Sequence, residues 1–126
     1  MTPEQQKRST TQQVAARFHE LAQQEKWFEI QDELFSDDIK SIEPPGSPYF
    51  PNAEGKLAVR KKADDFVKRI EAAGRLYTSE PLVAGNHFAV RREKELTVKE
   101  TGRVYIDQIM LYEVKEGKIV SEQFFY

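Results

Sequence analysis

This sequence predicts an α+β fold: a cone-like, curved, mostly antiparallel sheet wrapped around three N-terminal helices and enclosing a pocket. Three observations carry that prediction. Apolar residues recur at helical spacing up to Gly74, and strand-like texture takes over after it. Turn pairs at Gly85-Asn86, Thr101-Gly102 and Glu116-Gly117 join the later segments as hairpins. One of those segments, Val104 to Val114, is apolar on both faces, with Val104, Ile106 and Met110 set against Ile109 and Leu111. Both of its faces must therefore be covered. Helices laid inside a strongly bent sheet leave a hollow at its wide end.

The elements follow in order. Ser9 with Gln12, or Thr10 with Gln13, has the form of a capping box that satisfies the first amides of a helix. Behind it, Val14, Phe18, Leu21 and Ala22 make one apolar stripe. The chain then reads as a single domain over 1–126, with residues 1–8 as a flexible N-terminal extension. A second short helix buries Trp27, Ile30, Leu34 and Phe35. Ser36-Asp37-Asp38 ends it, because those side chains compete for backbone hydrogen bonds.

Ile39 to Glu43 reads as a short strand. Pro44 to Asn52 contains four prolines and must be a loop, with Tyr49 and Phe50 packed over something. Val59, Ala63, Phe66, Ile70 and Ala73 step by 4, 3, 4 and 3 along a third helix that Gly74 terminates. Lys61, Lys62, Asp64, Asp65, Lys68 and Arg69 read as its solvated side. Four long strands complete the chain: Leu76 to Ala84, Phe88 to Lys99, Val104 to Val114 and Lys118 to Tyr126. In the second of them Arg92 and Lys94 interrupt the apolar face, which reads as a bend or bulge.

Composition excludes several classes of function. A chain of 126 residues without cysteine has no disulfides, thiolate zinc sites or cysteine nucleophiles. Only His19 and His87 offer imidazole, so no metal centre and no cofactor is expected. The net charge of -2 gives no basic footprint, and Arg91, Arg92 and Lys94 alternate with Glu93 and Glu95. Neither nucleic acid nor membrane is expected as a partner, and the expected location is cytoplasmic.

The order of elements, together with three short stretches, resembles the nuclear-transport-factor-2-like superfamily, in its SnoaL-like and ketosteroid-isomerase-like branch. The stretches are Ala16 to Leu21, Phe35 to Asp38 running into Ile42 to Gly46, and Glu116 to Glu122. The resemblance implies a helix-lined conical pocket, and it places a carboxylate base just before the proline, at Glu43. Of the two oxyanion donors of the isomerases, the tyrosine position falls at Phe18 and the protonated-aspartate position at Met110. Both donors are missing. Without them an enolate loses its main electrostatic stabilisation, so steroid isomerisation is excluded.

Glu43 is accordingly the candidate catalytic residue, its proton affinity raised by an apolar cleft. A solvated glutamate at a strand end, or one paired with an arginine, is the plain alternative. Candidate ligand-binding residues are Phe18, Tyr49, Arg92, Gln108, Met110, Glu122 and Tyr126. Glu122 and Tyr126 share a strand face with Val120 and Phe124. Burying Glu122 there is costly unless it meets Arg92 or a tyrosine hydroxyl, or unless the face is wet. Tyr49 and Phe50 either cap the mouth or pack as core. His19 and His87 read as rim or surface. Asp107 faces away from the cavity.

The expected function is the binding of a small apolar molecule, with Glu43 as general base of a cofactor-independent cyclase, isomerase or dehydratase. A non-catalytic binding or dimerisation module is the alternative. The outer sheet face, with Tyr105, Ile109 and Leu111, is too apolar to stay bare and predicts a homodimer.

Overall fold

A computed structural model describes residues 1–126. Helix α1 (Pro3–Gln23) opens at Thr2, whose hydroxyl accepts from the Gln5 amide at 3.1 Å while the Gln5 side chain accepts from the Thr2 amide at 2.9 Å. The capping box is thus at Thr2 and Gln5 rather than at Ser9 or Thr10. Pro3 supplies a preset φ at the first helical position, and the polar residues after it are good helix formers. Residues 1–8, expected as a flexible extension, are helical from Pro3 onward and exposed.

Helix α2 (Trp27–Leu34) leads into β1 (Phe35–Ile42), so Ser36-Asp37-Asp38 lies in the strand. The two-residue strand β2 (Ala53–Glu54) and helix α3 (Lys56–Val67) follow. The remaining strands are β3 (Ile70–Thr78), β4 (Leu82–Ala84), β5 (His87–Val98), β6 (Gly102–Lys115) and β7 (Lys118–Phe125). They form one sheet in the order β2-β1-β7-β6-β5-β3, with β4 also pairing β5. Every pairing is antiparallel except β1 with β7. The result is the expected α+β architecture, a curved sheet with three helices.

Helix α3 stops at Val67, short of the predicted end, and Ile70 and Ala73 belong to β3. The misleading spacing has a physical origin. Two register shifts in β3, between Ile70 and Ala72 and between Ala73 and Leu76, turn a period of two into a period of three. Ile70, Ala73 and Leu76 therefore all line the same hollow that Val59 and Phe66 line from α3. Gly74 is not a helix cap. A side chain there would press on Glu95, whose Oε2 lies 2.9 Å from where a Cβ would sit. The predicted strand Leu76 to Ala84 is likewise two strands, separated after Thr78.

Arg92 and Lys94 mark no bulge between β5 and β6. That pairing runs unbroken from His87 opposite Glu113 to Val98 opposite Gly102. They interrupt the apolar face because the core itself is interrupted there. One apolar cluster gathers Phe18, Phe88, Val90, Met110 and Tyr112, and a smaller one gathers Phe66, Leu96, Val98, Val104 and Ile106. Arg92, Lys94 and Gln108 lie in the gap between them, on the inner face of the sheet. A bulge at Glu113 and Val114 also rotates β7, so that Ile119, Glu122 and Phe124 pair with inward residues and Val120 does not.

Candidate functional site

The gap in the core is a cavity of about 550 Å³. Its walls come from the α1–α2 junction, α3 and the inner faces of β3, β5, β6 and β7. Most of the lining is apolar, including Trp27, Phe50, Val59, Phe66, Met110 and Phe124. Glu43, Lys62, Arg92, Lys94, Gln108 and Glu122 supply polar groups from the sheet side and α3, and Glu25, Lys26, Glu29 and Gln31 supply others from the α1–α2 side. A mostly apolar hollow with a few converging polar groups is the usual form of a small-molecule site.

Glu43 sits one residue beyond β1, where the proline-rich loop leaves the sheet. The Asn52 side chain accepts from the Glu43 backbone amide at 2.7 Å and clips the loop's two ends together. Both carboxylate oxygens of Glu43 are engaged. Tyr126 donates its hydroxyl to Oε1 at 2.7 Å, and Lys62 Nζ lies 2.5 Å from Oε2. The Lys62 side chain is 8 % exposed and that of Glu43 3 %, so this is a buried ion pair. Lys62 also donates to Ser41 Oγ at 2.7 Å, and Ser41 donates to Glu122 Oε1 at 2.7 Å. Two carboxylates are thus joined through one hydroxyl and one ammonium.

Their surroundings differ. Glu43 has a cation and a phenol, whereas the only hydrogen bond to Glu122 comes from the Ser41 hydroxyl. Burial pushes Glu122 up to about 7, against the opposing pull of Ser41 and Lys62. Tyr126 is pushed up to about 12, first by burial. Burial also lowers Lys94, aided by nearby Arg92, to about 8. No three His, Asp or Glu side chains converge in a way that could hold a metal ion.

Of the predicted residues, Glu43, Arg92, Gln108, Met110 and Glu122 line the cavity. Arg92 is already committed. It makes two hydrogen bonds to Glu25, at 2.9 and 2.7 Å, and one to Thr78 at 3.1 Å, and it stacks over Trp27 at 4.8 Å. It pins the α1–α2 junction to β5 and leaves Glu122 to Ser41. Tyr126 does not line the cavity but holds Glu43 from behind.

Phe18 and Tyr49 do not line it either. Phe18 is 0 % exposed, packed edge-on against Trp27 and Phe88 and close to Tyr112, so it is core. Tyr49 packs against Phe50 and Tyr126 at the loop. His19 keeps a buried Nδ1 without a partner, and His87 lies 3.8 Å from Glu113 near the surface; neither lines the cavity. Asp107 faces outward and pairs with Arg91 through two 3.0 Å contacts.

Lys62 was missed by sequence reasoning. The signal was present: it stands three residues after Val59 and four before Phe66, on the apolar stripe rather than opposite it. Lys94 gave a similar signal by breaking an inward strand face.

A family model described as a SnoaL-like domain matches residues 9–126. Among solved structures, a candidate SnoaL-like polyketide cyclase from Mesorhizobium loti is 35% identical with a TM-score of 0.84, covering 90% of this chain and 97% of its own. An NTF2-like protein of unknown function from Burkholderia pseudomallei is 17% identical, TM-score 0.72, covering 93% of this chain and 90% of its own. A candidate SnoaL-like polyketide cyclase from Jannaschia sp. is 12% identical, TM-score 0.70, covering 99% and 88%. No curated protein matches the chain. No helix is long and apolar enough to cross a membrane. With nearly its whole length matched by that model, and with the fold to go with it, the chain belongs to the SnoaL-like domain family.

Proposed function

We propose that this protein is a cofactor-independent proton-transfer catalyst of the cyclase, isomerase or dehydratase type, acting on a small, mostly apolar molecule. One observation carries the reading: two carboxylates on the wall of an apolar cavity, joined through Ser41 and Lys62, only one of which has a cation beside it. Environments that drive two acids apart divide the work between a base and an acid. Glu43, paired with Lys62, is the base, and Glu122, half-protonated near neutrality, delivers the proton. Ser41 and Lys62 hold the two at fixed separation. The similarity to polyketide-cyclase candidates supports the same class of chemistry.

The test is deuterium wash-in from heavy water at the carbon next to the carbonyl of aromatic ring ketones such as 2-tetralone, followed by proton NMR. The wild type accelerates exchange, and Glu43→Gln loses about a hundredfold or more of that acceleration. Wild-type exchange no faster than that of Glu43→Gln contradicts the reading. A second reading, ligand binding without chemistry, is favoured by the engagement of both Glu43 oxygens before any ligand arrives. Tight binding of a ketone without wash-in selects it.

The outer sheet face supports a homodimer as the working assembly. Tyr77, Tyr105, Ile109 and Phe125 stand exposed on it, around the Arg91–Asp107 pair. Sedimentation at micromolar concentration reads twice the 14.6 kDa chain mass, and a species at the chain mass rejects it.

A further inference from the structure

Two polar side chains in the cavity have no partner. Gln108 is 5 % exposed and lines the hollow, yet its amide makes no hydrogen bond within the protein. Lys94 lines the same hollow, and its ammonium makes neither a hydrogen bond nor an ion pair. The other charged groups that line the hollow from the sheet and from α3 are accounted for: Arg92 is held by Glu25 and Lys62 by Glu43, while Glu122 accepts from Ser41. Two aromatic rings flank Lys94, with the Phe50 and Phe66 ring centres 5.5 and 5.4 Å from Nζ.

An amide and an ammonium that line an apolar hollow without a partner in the protein are free to bond a polar group placed inside it. In β5 and β6 they are diagonal neighbours on one face, since Arg92 pairs with Gln108 and Lys94 with Ile106. Such neighbours lie about 7 Å apart, close enough for both to reach one small group between them. The aromatic walls on the Lys94 side suit a flat ring system.

We infer that the cavity takes a flat, mostly apolar molecule carrying one anionic oxygen group, a carboxylate or an ionised hydroxyl, which is received by Lys94 and Gln108 in the hollow they share with the Glu43–Lys62 pair. This deepens the proposed function, because it rests on the cavity being a small-molecule site and names the groups that hold the ligand's oxygen. Burial and the neighbouring Arg92 lower the proton affinity of Lys94 against the pull of Glu43, Glu25 and Glu122, none of which touches its ammonium. A charged hydrogen bond in such a place strengthens binding by about tenfold or more.

The probes are 9-anthracenecarboxylate and its uncharged analogue 9-anthracenemethanol, titrated at pH 7 by fluorescence. Wild-type protein binds the carboxylate about tenfold more tightly than the alcohol. Lys94→Met abolishes that preference and leaves alcohol binding within twofold, Lys94→Arg keeps the preference, and Ala63→Phe, which fills the hollow, weakens both probes. An undiminished carboxylate preference in Lys94→Met overturns the inference. So does equal binding of the two probes by the wild type, which leaves the small-molecule reading standing. Failure of both probes to bind, or indifference of both to Ala63→Phe, overturns the inference and that reading together.

Discussion

Replacing Lys62 with methionine keeps the length of the side chain and removes its charge, which isolates the role of the buried ion pair. The substitution deletes the 2.5 Å contact to Glu43 and the 2.7 Å hydrogen bond to Ser41. It also removes the ammonium from the Phe124 and Phe50 rings, whose centres lie 5.2 and 5.6 Å away. Breaking a buried pair from one side costs about 3–5 kcal/mol, because the surviving charge stays buried without its partner. Tyr126 still donates to Glu43 at 2.7 Å, which offsets about 1 kcal/mol. The expected loss at pH 7 is therefore about 3 kcal/mol, or roughly 10 °C in Tm for a chain of this size. Lys61 is the internal control: 76 % exposed and paired only with Asp65 on its own helix, its substitution costs below about 0.5 kcal/mol. Urea denaturation measures both. The double variant Lys62→Met with Glu43→Gln recovers most of the loss, since a neutral amide needs no counter-ion. A Lys62→Met loss as small as that of Lys61→Met, or a double variant with no recovery, refutes the reasoning.

Other outcomes follow from the same geometry. Glu122 holds its proton more tightly when folded, at about 7 against an ordinary value of 4.5, so its neutral form favours the fold. That contribution is complete below about pH 4.5 and is lost as pH rises through 7, about 3 kcal/mol in all. Glu122→Gln, measured by urea denaturation between pH 4 and 8.5, therefore gains stability relative to wild type as pH rises; a constant difference contradicts this. Lys94 has the opposite sign. Its depressed proton affinity disfavours the fold below about pH 8, so Lys94→Met raises Tm at pH 6 and the gain shrinks toward pH 10. A Tm that falls at pH 6 counts against it. Phe18→Tyr places a hydroxyl in a fully buried aromatic cluster, costs about 1–3 kcal/mol and confers no 3-ketosteroid isomerisation by an ultraviolet absorbance assay. Measurable isomerisation would move Phe18 back into the cavity.

Much of the fold could be read from local pattern. The turns at Gly85, Gly102 and Gly117 all have positive φ, which is why glycine marks them so plainly. Strict alternation along β6 put Gln108 and Met110 inside and Asp107 outside, and the unbroken pairing with β5 preserved that reading. Where pairing shifts, alternation fails. Alternation groups Val120 with Glu122, but Val120 is the extra, unpaired residue of a bulge in β7, which one strand's pattern does not reveal. The end of α3 was misplaced because two bulges in β3 imitate helical spacing.

The site was half legible for the same reason. Glu43 and Glu122 were singled out by type and position. Their connection through Ser41 and Lys62 depends on how α3 lies across β1, which no single-element pattern encodes. Taken within its own element, the charged run of α3 reads as a solvated side and Lys94 reads as a break in a strand face. Lys62 and Lys94 show that a lysine on an apolar stripe belongs to the interior.

The most direct test is the titration of Glu122 itself, followed by the side-chain carboxyl resonance of protein labelled with carbon-13 glutamate and assigned with Glu122→Gln. A midpoint near 7, moved further upward when Lys62 is replaced by methionine, is the expected result. A midpoint in the ordinary carboxylate range, near 4.5 and indifferent to Lys62, would leave the cavity without its proton donor.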